Sequence, residues 1–154
     1  MTSSLTVLAP VAGTVIAMAD VPDPVFAGEL VGPGLAIDPE RAGTVVAVSP
    51  VAGKVVKLHP HAFVVQADGG RGALVHLGLD TVQLAGEGFT LHAAEGDTVA
   101  AGDRVVSWDP AAVEAGGRSP VCPVVALQGA PDAITPLAAV GSRVASGDPL
   151  LEWS

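Results

Sequence analysis

The chain has 154 residues, a length at which one domain with a substantial hydrophobic core is the expected organisation. Its formal net charge is −9, with 16 acidic against 7 basic side chains, which excludes the basic footprint that nucleic acid or an anionic membrane surface requires. Hydrophobic residues make up 49% of the sequence, but no apolar run approaches the length of a membrane span, so we expect no membrane insertion.

The predicted fold class is all-β, an antiparallel sandwich or barrel with one or two short helices. Short valine-rich runs are interrupted by Gly and Pro about every eight to twelve residues, a spacing typical of such folds. The predicted strands are Leu5–Ala9, Gly13–Met18, Val45–Val48, Lys54–Leu58, Ala62–Gln66, Ala73–Leu77, Val121–Leu127 and Leu150–Trp153. Residues 19–42 are predicted to form one long irregular loop. One helix can be placed, with Asp109 as its cap, Pro110 as its first residue and Gly116 as its stop.

Two pairs of similar segments indicate internal pseudo-symmetry. Pro-Val-Ala-Gly occurs at residues 10–13 and again at residues 50–53, each time as a turn that leads into a strand. Residues 95–106 and 140–151 likewise share a Gly turn, a valine and a Gly-Asp turn before a strand.

A histidine, His76, stands in the middle of an apolar strand. The tight turn Asp68–Gly72 makes the strands before and after it antiparallel neighbours. Period-two alternation then places His76 on one face together with Leu74 and Gly78. A lone histidine in such a strand is more often a hydrogen-bonded core residue than a reactive one.

A second histidine, His61, belongs to the preceding strand, where alternation predicts a face shared with Phe63. Pairing across the two strands would bring His61 and His76 within contact distance. We interpret the two imidazoles as one phosphoryl-handling site.

The residues around His76 carry a family resemblance. Gly72–Val82, Gly-Ala-Leu-Val-His-Leu-Gly-Leu-Asp-Thr-Val, followed by Leu84–Phe89, resembles the active-site signature of the glucose-type enzyme IIA family of the bacterial phosphoenolpyruvate-dependent sugar phosphotransferase system. Further blocks that look like the same family are Ala9–Gly13, Asp20–Ala27, Gly32–Pro39, His61-Ala62-Phe63, Glu95-Gly96 and Gly102-Asp103.

The resemblance implies a single stand-alone EIIA type 1 domain over residues 1–154, without IIB or IIC domains, acting as a cytoplasmic phosphotransferase component. His76 would take a phosphoryl group from HPr and pass it to a cysteine of an enzyme IIB domain, for a sugar of the glucose, N-acetylglucosamine or glucoside class. His61 would hydrogen-bond the phosphate. No cofactor is implied, and the family precedent suggests regulatory protein partners as well.

The chemistry fits these residue types. A neutral imidazole is a competent nucleophile near pH 7 without a separate base, and a second imidazole can stabilise charge on the transferring group. An apolar wall would protect the labile phosphorus–nitrogen bond from water. Candidates for that wall and for the docking surface are Val25, Phe26, Phe63, Leu74 and Val82. Candidate supporting residues are Gly78, Asp80 and His59, the last standing where relatives are expected to carry threonine.

Other interpretations stay open. A non-catalytic regulatory binding module would keep His61 without turnover at His76. A biotinyl- or lipoyl-like carrier would need a hairpin-tip lysine flanked by Met or Asp, and neither Lys54 nor Lys57 has that flank. We predict no resident metal, although His61 and His76 could hold an incidental Zn²⁺ with a partner's carboxylate.

The remaining candidates for chemistry are assigned structural roles. The only cysteine, Cys122, rules out an internal disulfide framework and suits a reducing cytoplasm. The segment Ser119–Pro123 has no cation to activate the thiol, so Cys122 is interpreted as a small buried hydrophobic residue. His92 matches no motif and is interpreted as a structural or surface residue.

Overall fold

The computed structural model describes residues 4–154 and consists mainly of antiparallel strands. The strands are β1 (Leu5–Leu8), β2 (Gly13–Ala17), β3 (Gly34–Pro39), β4 (Val45–Val48), β5 (Gly53–His59), β6 (Ala62–Gln66), β7 (Gly72–His76), β8 (Thr90–Leu91), β9 (Thr98–Val99), β10 (Arg104–Trp108), β11 (Cys122–Ala126), β12 (Ile134–Pro136), β13 (Arg143–Val144) and β14 (Pro149–Trp153). The helices are α1 (Pro24–Ala27) and α2 (Pro110–Ala115), and 3-10 turns cover Met18–Asp20, Thr81–Leu84 and Pro131–Ala133. The predicted fold class is confirmed.

Three sheets enclose the core. The large sheet has the strand order β13-β2-β3-β11-β7-β6-β5-β9, and two three-stranded sheets have the orders β1-β14-β12 and β4-β10-β8. All three contribute to one cluster of buried side chains, which includes Trp108, Phe63, Ile37 and Leu150. On the opposite face of the large sheet, a smaller cluster joins Phe26 of α1 to residues of β3 and β11. Strand alternation therefore supplies two hydrophobic layers, one on each face of the large sheet.

The two Pro-Val-Ala-Gly segments occupy equivalent places in the large sheet, as the sequence repeat predicts. Each leads into a strand next to the end of the sheet, β2 beside β13 and β5 beside β9. A Cβ atom on Gly13 would lie 2.1 Å from the carbonyl oxygen of Asp38, and one on Gly53 would lie 2.1 Å from that of Gln66. Both glycines are thus required because a neighbouring backbone approaches too closely for any side chain.

The prediction that residues 19–42 form one long loop is wrong. This segment contains α1 and also β3, which lies between β2 and β11 in the large sheet. Leu35, Ala36 and Ile37 are all buried, because β3 is covered on both faces and so shows no polar alternation. Gly34 begins the strand, and its missing Cβ lets the carbonyl of Val124 approach. Glycine here allows close packing inside a sheet, although in sequence it resembles a loop signal.

The predicted helix is confirmed as α2. The carboxylate of Asp109 accepts a hydrogen bond from the backbone N–H of Ala112 at 3.1 Å, Pro110 opens the helix, and Gly116 is its C-cap. Within residues 4–154, no helix is long and apolar enough to cross a membrane.

Substitution of Gly53 tests whether the close approach of the Gln66 carbonyl requires glycine at this position. We expect Gly53→Ala to lower the free energy of unfolding by about 2 kcal/mol, because the new methyl group must push β5 away from β6. Gly72→Ala is the matched control, since a Cβ there would meet the side chain of Val64 at an ordinary 3.4 Å. Urea denaturation measures both values. Equal stability of the two variants would contradict the close-approach argument.

Candidate active site

The pairing of β6 with β7 decides which way His76 faces. The predicted turn between them is present, with the N–H of Ala67 donating to the carbonyl of Arg71 at 2.9 Å. In the resulting register Phe63 lies opposite Val75, and Ala62 lies opposite His76. Phe63 and Val75 are fully buried in the main core, so alternation turns His76 to the other face, where it is half-buried.

His61 reaches the same face from a turn. It lies between the end of β5 and the start of β6, so the prediction that it shares a face with Phe63 is wrong, because period-two alternation does not extend into the turn. The predicted contact between the two histidines is nevertheless present. Their ring centroids are 5.3 Å apart at an interplanar angle of 68°. The N–H of Leu77 donates to the carbonyl of His61 at 2.7 Å, which fixes the turn against the end of β7.

The tautomer of His76 is set by the turn that follows β7. The Nδ1 atom of His76 lies 2.5 Å from the carbonyl oxygen of Gly78. A carbonyl can only accept, so Nδ1 carries the proton and Nε2 of the neutral ring carries the free lone pair. Gly78 adopts φ +79°, and a Cβ on it would lie 2.7 Å from the side chain of Thr81.

Thr81 is a residue that sequence reasoning missed. Its side chain is buried, and its hydroxyl donates to the carbonyl of Leu77 at 2.8 Å, which closes the turn that carries Gly78. Asp80, inside the same turn, has φ +59° and an exposed carboxylate. A threonine hydroxyl that donates to a nearby backbone carbonyl leaves no periodic pattern in the sequence. The position of Thr81 inside the family signature is therefore the one sequence feature that points to its role.

One side of the His76 ring is covered by aromatic and aliphatic groups. The ring of Phe26 meets it edge to face, with centroids 5.2 Å apart and an interplanar angle of 61°. Phe26 is buried, and half-buried Leu74 packs against the same small cluster. The N-cap of α1 holds Phe26 in place, because the carboxylate of Asp23 accepts a hydrogen bond from the N–H of Val25 at 2.9 Å.

Solvent exposure separates Val25 and Val82 from Phe63 among the predicted docking residues. Val25 is 43% exposed and Val82 is 61% exposed, so both present apolar surface to solvent. Phe63 is 0% exposed and cannot contribute to a docking surface, so that prediction is wrong. The error follows from the misplaced face of His61, since Phe63 points into the core.

His59 also belongs to the ring cluster. It is exposed at the end of β5, and its ring stacks on that of His61 with centroids 5.7 Å apart and an interplanar angle of 23°. The imidazoles of His59, His61 and His76 and the phenyl ring of Phe26 therefore form one continuous row across this face.

Burial favours the neutral form of the His61 and His76 imidazoles. Burial lowers the pKa of His76 from the ordinary 6.5, while the hydrogen bond to Gly78 and the charges of Asp23 and Asp80 partly oppose that change. Burial also lowers the pKa of His61, and the charges of His76 and His59 lower it further. Both rings are consequently mainly neutral at pH 7, the form in which imidazole nitrogen is nucleophilic.

The two histidines lie apart from the pocket that the structure forms beside α2. A pocket of about 250 Å³ lies between residues 84–89 and α2, and neither His61 nor His76 lines it. Among the described residues, no group of three or more His, Cys, Asp or Glu side chains is arranged to hold a metal ion. Because His61 and His76 are only half-buried, a docking macromolecule could contact their rings and exclude water.

The remaining candidate residues from the sequence lie outside the cluster of His59, His61 and His76. Cys122 is fully buried, and burial raises the pKa of its thiol to about 12, which confirms that it is a buried hydrophobic residue. His92 is exposed, and its Nε2 lies 2.6 Å from the hydroxyl of Ser107, which confirms a surface position. Lys54 and Lys57 both lie within β5 and not at a hairpin tip, so the biotinyl- or lipoyl-like interpretation loses its attachment site.

Comparisons with known proteins identify relatives of this chain and of its fold. The family model for the phosphoenolpyruvate-dependent sugar phosphotransferase system, EIIA 1, matches residues 5–131. The glucose-specific EIIA component of Bacillus cereus is 43% identical over 126 residues, which cover 80% of this chain and 74% of that protein. The glucose-specific EIICBA component of Streptococcus pneumoniae is 45% identical over 119 residues, which cover 76% of this chain and 16% of that protein. The solved glucose permease IIA from Mycoplasma capricolum matches with a TM-score of 0.85 and 34% identity, covering 98% of this chain and 96% of that one.

The charge at the N-cap of α1 gives a test of the site's electrostatics. We expect Asp23→Asn to lower the pKa of His76 further, because asparagine retains the cap but no longer stabilises the imidazolium. An NMR titration of the His76 ring measures this change. Asp132→Asn, in the 3-10 turn Pro131–Ala133, is the control and should leave the pKa unchanged. A rise of the pKa in Asp23→Asn would contradict the assignment.

Proposed function

This chain belongs to the EIIA type 1 family of the phosphoenolpyruvate-dependent sugar phosphotransferase system, and from that premise we propose that it is a phosphohistidine carrier. His76 accepts a phosphoryl group from phosphorylated HPr and passes it to a cysteine of an enzyme IIB domain. The sugar class is that of glucose, N-acetylglucosamine and glucosides, and the glucose-specific names of the relatives support this choice.

The observation that carries the proposal is the hydrogen bond from Nδ1 of His76 to the carbonyl of Gly78. It holds the proton on Nδ1 and leaves Nε2 as the nucleophile. As the bond between Nε2 and phosphorus forms, the bond between phosphorus and the donor atom breaks, and its electron pair stays with the donor. Nδ1 keeps its proton throughout, so no separate base is required.

His61 stabilises the charge on the transferring phosphoryl group. Its ring lies beside that of His76, so an N–H of His61 can donate to an oxygen of the transferring group. The arriving phosphoryl group brings about two negative charges, which favour protonation of an imidazole that is neutral in the free protein. His61 thereby gains a positive charge only when the phosphoryl group is present, which is also when that charge stabilises the transfer.

The surroundings of the site favour docking of a partner protein. Exposed Val25 and Val82 give apolar contact area, and the acidic side chains of Asp23 and Asp80 lie close enough to His76 to influence its pKa. A partner with apolar groups ringed by basic ones would be complementary in both respects. Contact at these residues would cover the His76 ring, exclude water and protect the phosphorus–nitrogen bond.

Labelled phosphoenolpyruvate, enzyme I and HPr test the proposal. We expect wild-type protein to take up one phosphoryl label and His76→Ala to take up none, because the nucleophile is missing. His61→Gln should still take up label, since glutamine keeps an N–H donor. Its transfer to a IIB domain should fall about 100-fold, because glutamine cannot carry a positive charge.

His92→Ala is the matched control, since His92 is an exposed histidine outside the site. It should be labelled and discharged like the wild type. Label that survives in His76→Ala would overturn the proposal. Failure of the wild type to take up any label would instead favour the non-catalytic binding module.

A further inference from the structure

We propose that His59 is a positioning residue whose ring holds the imidazole of His61 in the orientation needed at the phosphoryl group. This inference rests on the proposed function, because it concerns how that site is kept in order. The observation behind it is the stack of the two rings, with centroids 5.7 Å apart and only 23° between their planes. Offset stacking at this separation is an attractive arrangement for aromatic rings.

The backbone of His61 is held by a hydrogen bond and by packing of its neighbour, whereas its ring is held by packing alone. Its carbonyl accepts the N–H of Leu77, and its neighbour Pro60 packs against Gly86, where a Cβ would lie 3.3 Å from the proline ring. Within residues 4–154, no hydrogen bond from a protein group reaches either nitrogen of the His61 ring in the free protein. The orientation of that ring therefore depends on the groups that pack against it.

Two rings provide that packing, and they do so from different directions. His76 meets the His61 ring at 68°, so it limits how far the ring can move toward β7. His59 lies nearly parallel to the His61 plane in an offset stack, with ring centroids 5.7 Å apart. An imidazole restrained in this way loses little further freedom when a phosphoryl oxygen arrives, whereas an unrestrained one must be ordered at that moment.

The local fold makes the stack a consequence of the hairpin. His59 is the last residue of β5 and pairs with Ala62, the first residue of β6, so Pro60 and His61 form the whole connection. A proline in a two-residue connection leaves little backbone freedom, since its φ is fixed. The side chains of residues 59 and 61 are thus brought to the same side of the hairpin with their rings in contact.

Three substitutions separate stacking from charge. His59→Ala removes the ring, His59→Phe supplies a flat ring that cannot be charged, and His59→Lys supplies a cation without a ring. We expect His59→Ala to take up label from HPr normally but to discharge it to a IIB domain about 10-fold more slowly. His59→Phe should return to within about twofold of the wild-type rate, and His59→Lys should resemble His59→Ala.

A second measurement requires no phosphoryl chemistry. In unphosphorylated protein, NMR order parameters and nuclear Overhauser contacts should show the His61 ring fixed beside His76 in wild type and in His59→Phe. They should show it mobile in His59→Ala, while His92→Ala leaves it unchanged. Because this readout does not use HPr or IIB, it tests the positioning role even if the proposed function fails.

Two results would overturn the inference. One is a His61 ring in His59→Ala that is as ordered as in wild type, with an unchanged discharge rate. The other is rescue of discharge by His59→Lys and not by His59→Phe, which would show that charge and not stacking is the property required. Failure of the proposed function is recognised separately, by the absence of label in wild-type protein or its persistence in His76→Ala.

Discussion

The site depends on one register, that of β6 against β7. Because successive side chains of a strand point to opposite faces, a shift of one residue would exchange buried Val75 for His76 and place an imidazole in the main core. The fully buried pair of Phe63 and Val75 opposes such a shift, since it would expose large apolar groups and bury a polar one. Core packing thus fixes the direction in which the His76 side chain points.

Local structure was largely predictable from the sequence, whereas parts of the site were not. Turns and caps depend on residues close in sequence, so the turn Asp68–Gly72 and the cap at Asp109 could be predicted. β3 was missed because a strand buried on both faces, with glycine needed for close packing, has the same composition as a loop. Alternation counted from His61 gives the wrong face for Phe63, because His61 lies outside the strand and a shift of one residue inverts every face.

The chemistry of His76 results from a balance between two environments. Burial is the dominant cause of the lowered pKa of its ring, and it favours the neutral form. The residue is nevertheless only half-buried, so part of it remains accessible to solvent. The turn at Gly78 sets the tautomer of the neutral ring, because its carbonyl accepts the Nδ1 proton and leaves Nε2 with its lone pair. A side chain acting as acceptor there would have to be ordered first, but a backbone carbonyl in a closed turn is already in place.

The internal repeat clarifies how the residues around His76 are brought together. The large sheet is nearly symmetric in its pairing, with β2 beside β13 at one end and β5 beside β9 at the other. The connections that leave the two equivalent strands differ, since residues 18–33 follow β2 and only Pro60 and His61 follow β5. The long connection places the ring centroid of Phe26 5.2 Å from that of His76. The short connection places the ring centroid of His61 5.3 Å from that of His76. The repeated strands therefore provide the rigid frame, and the unequal connections between them create the site.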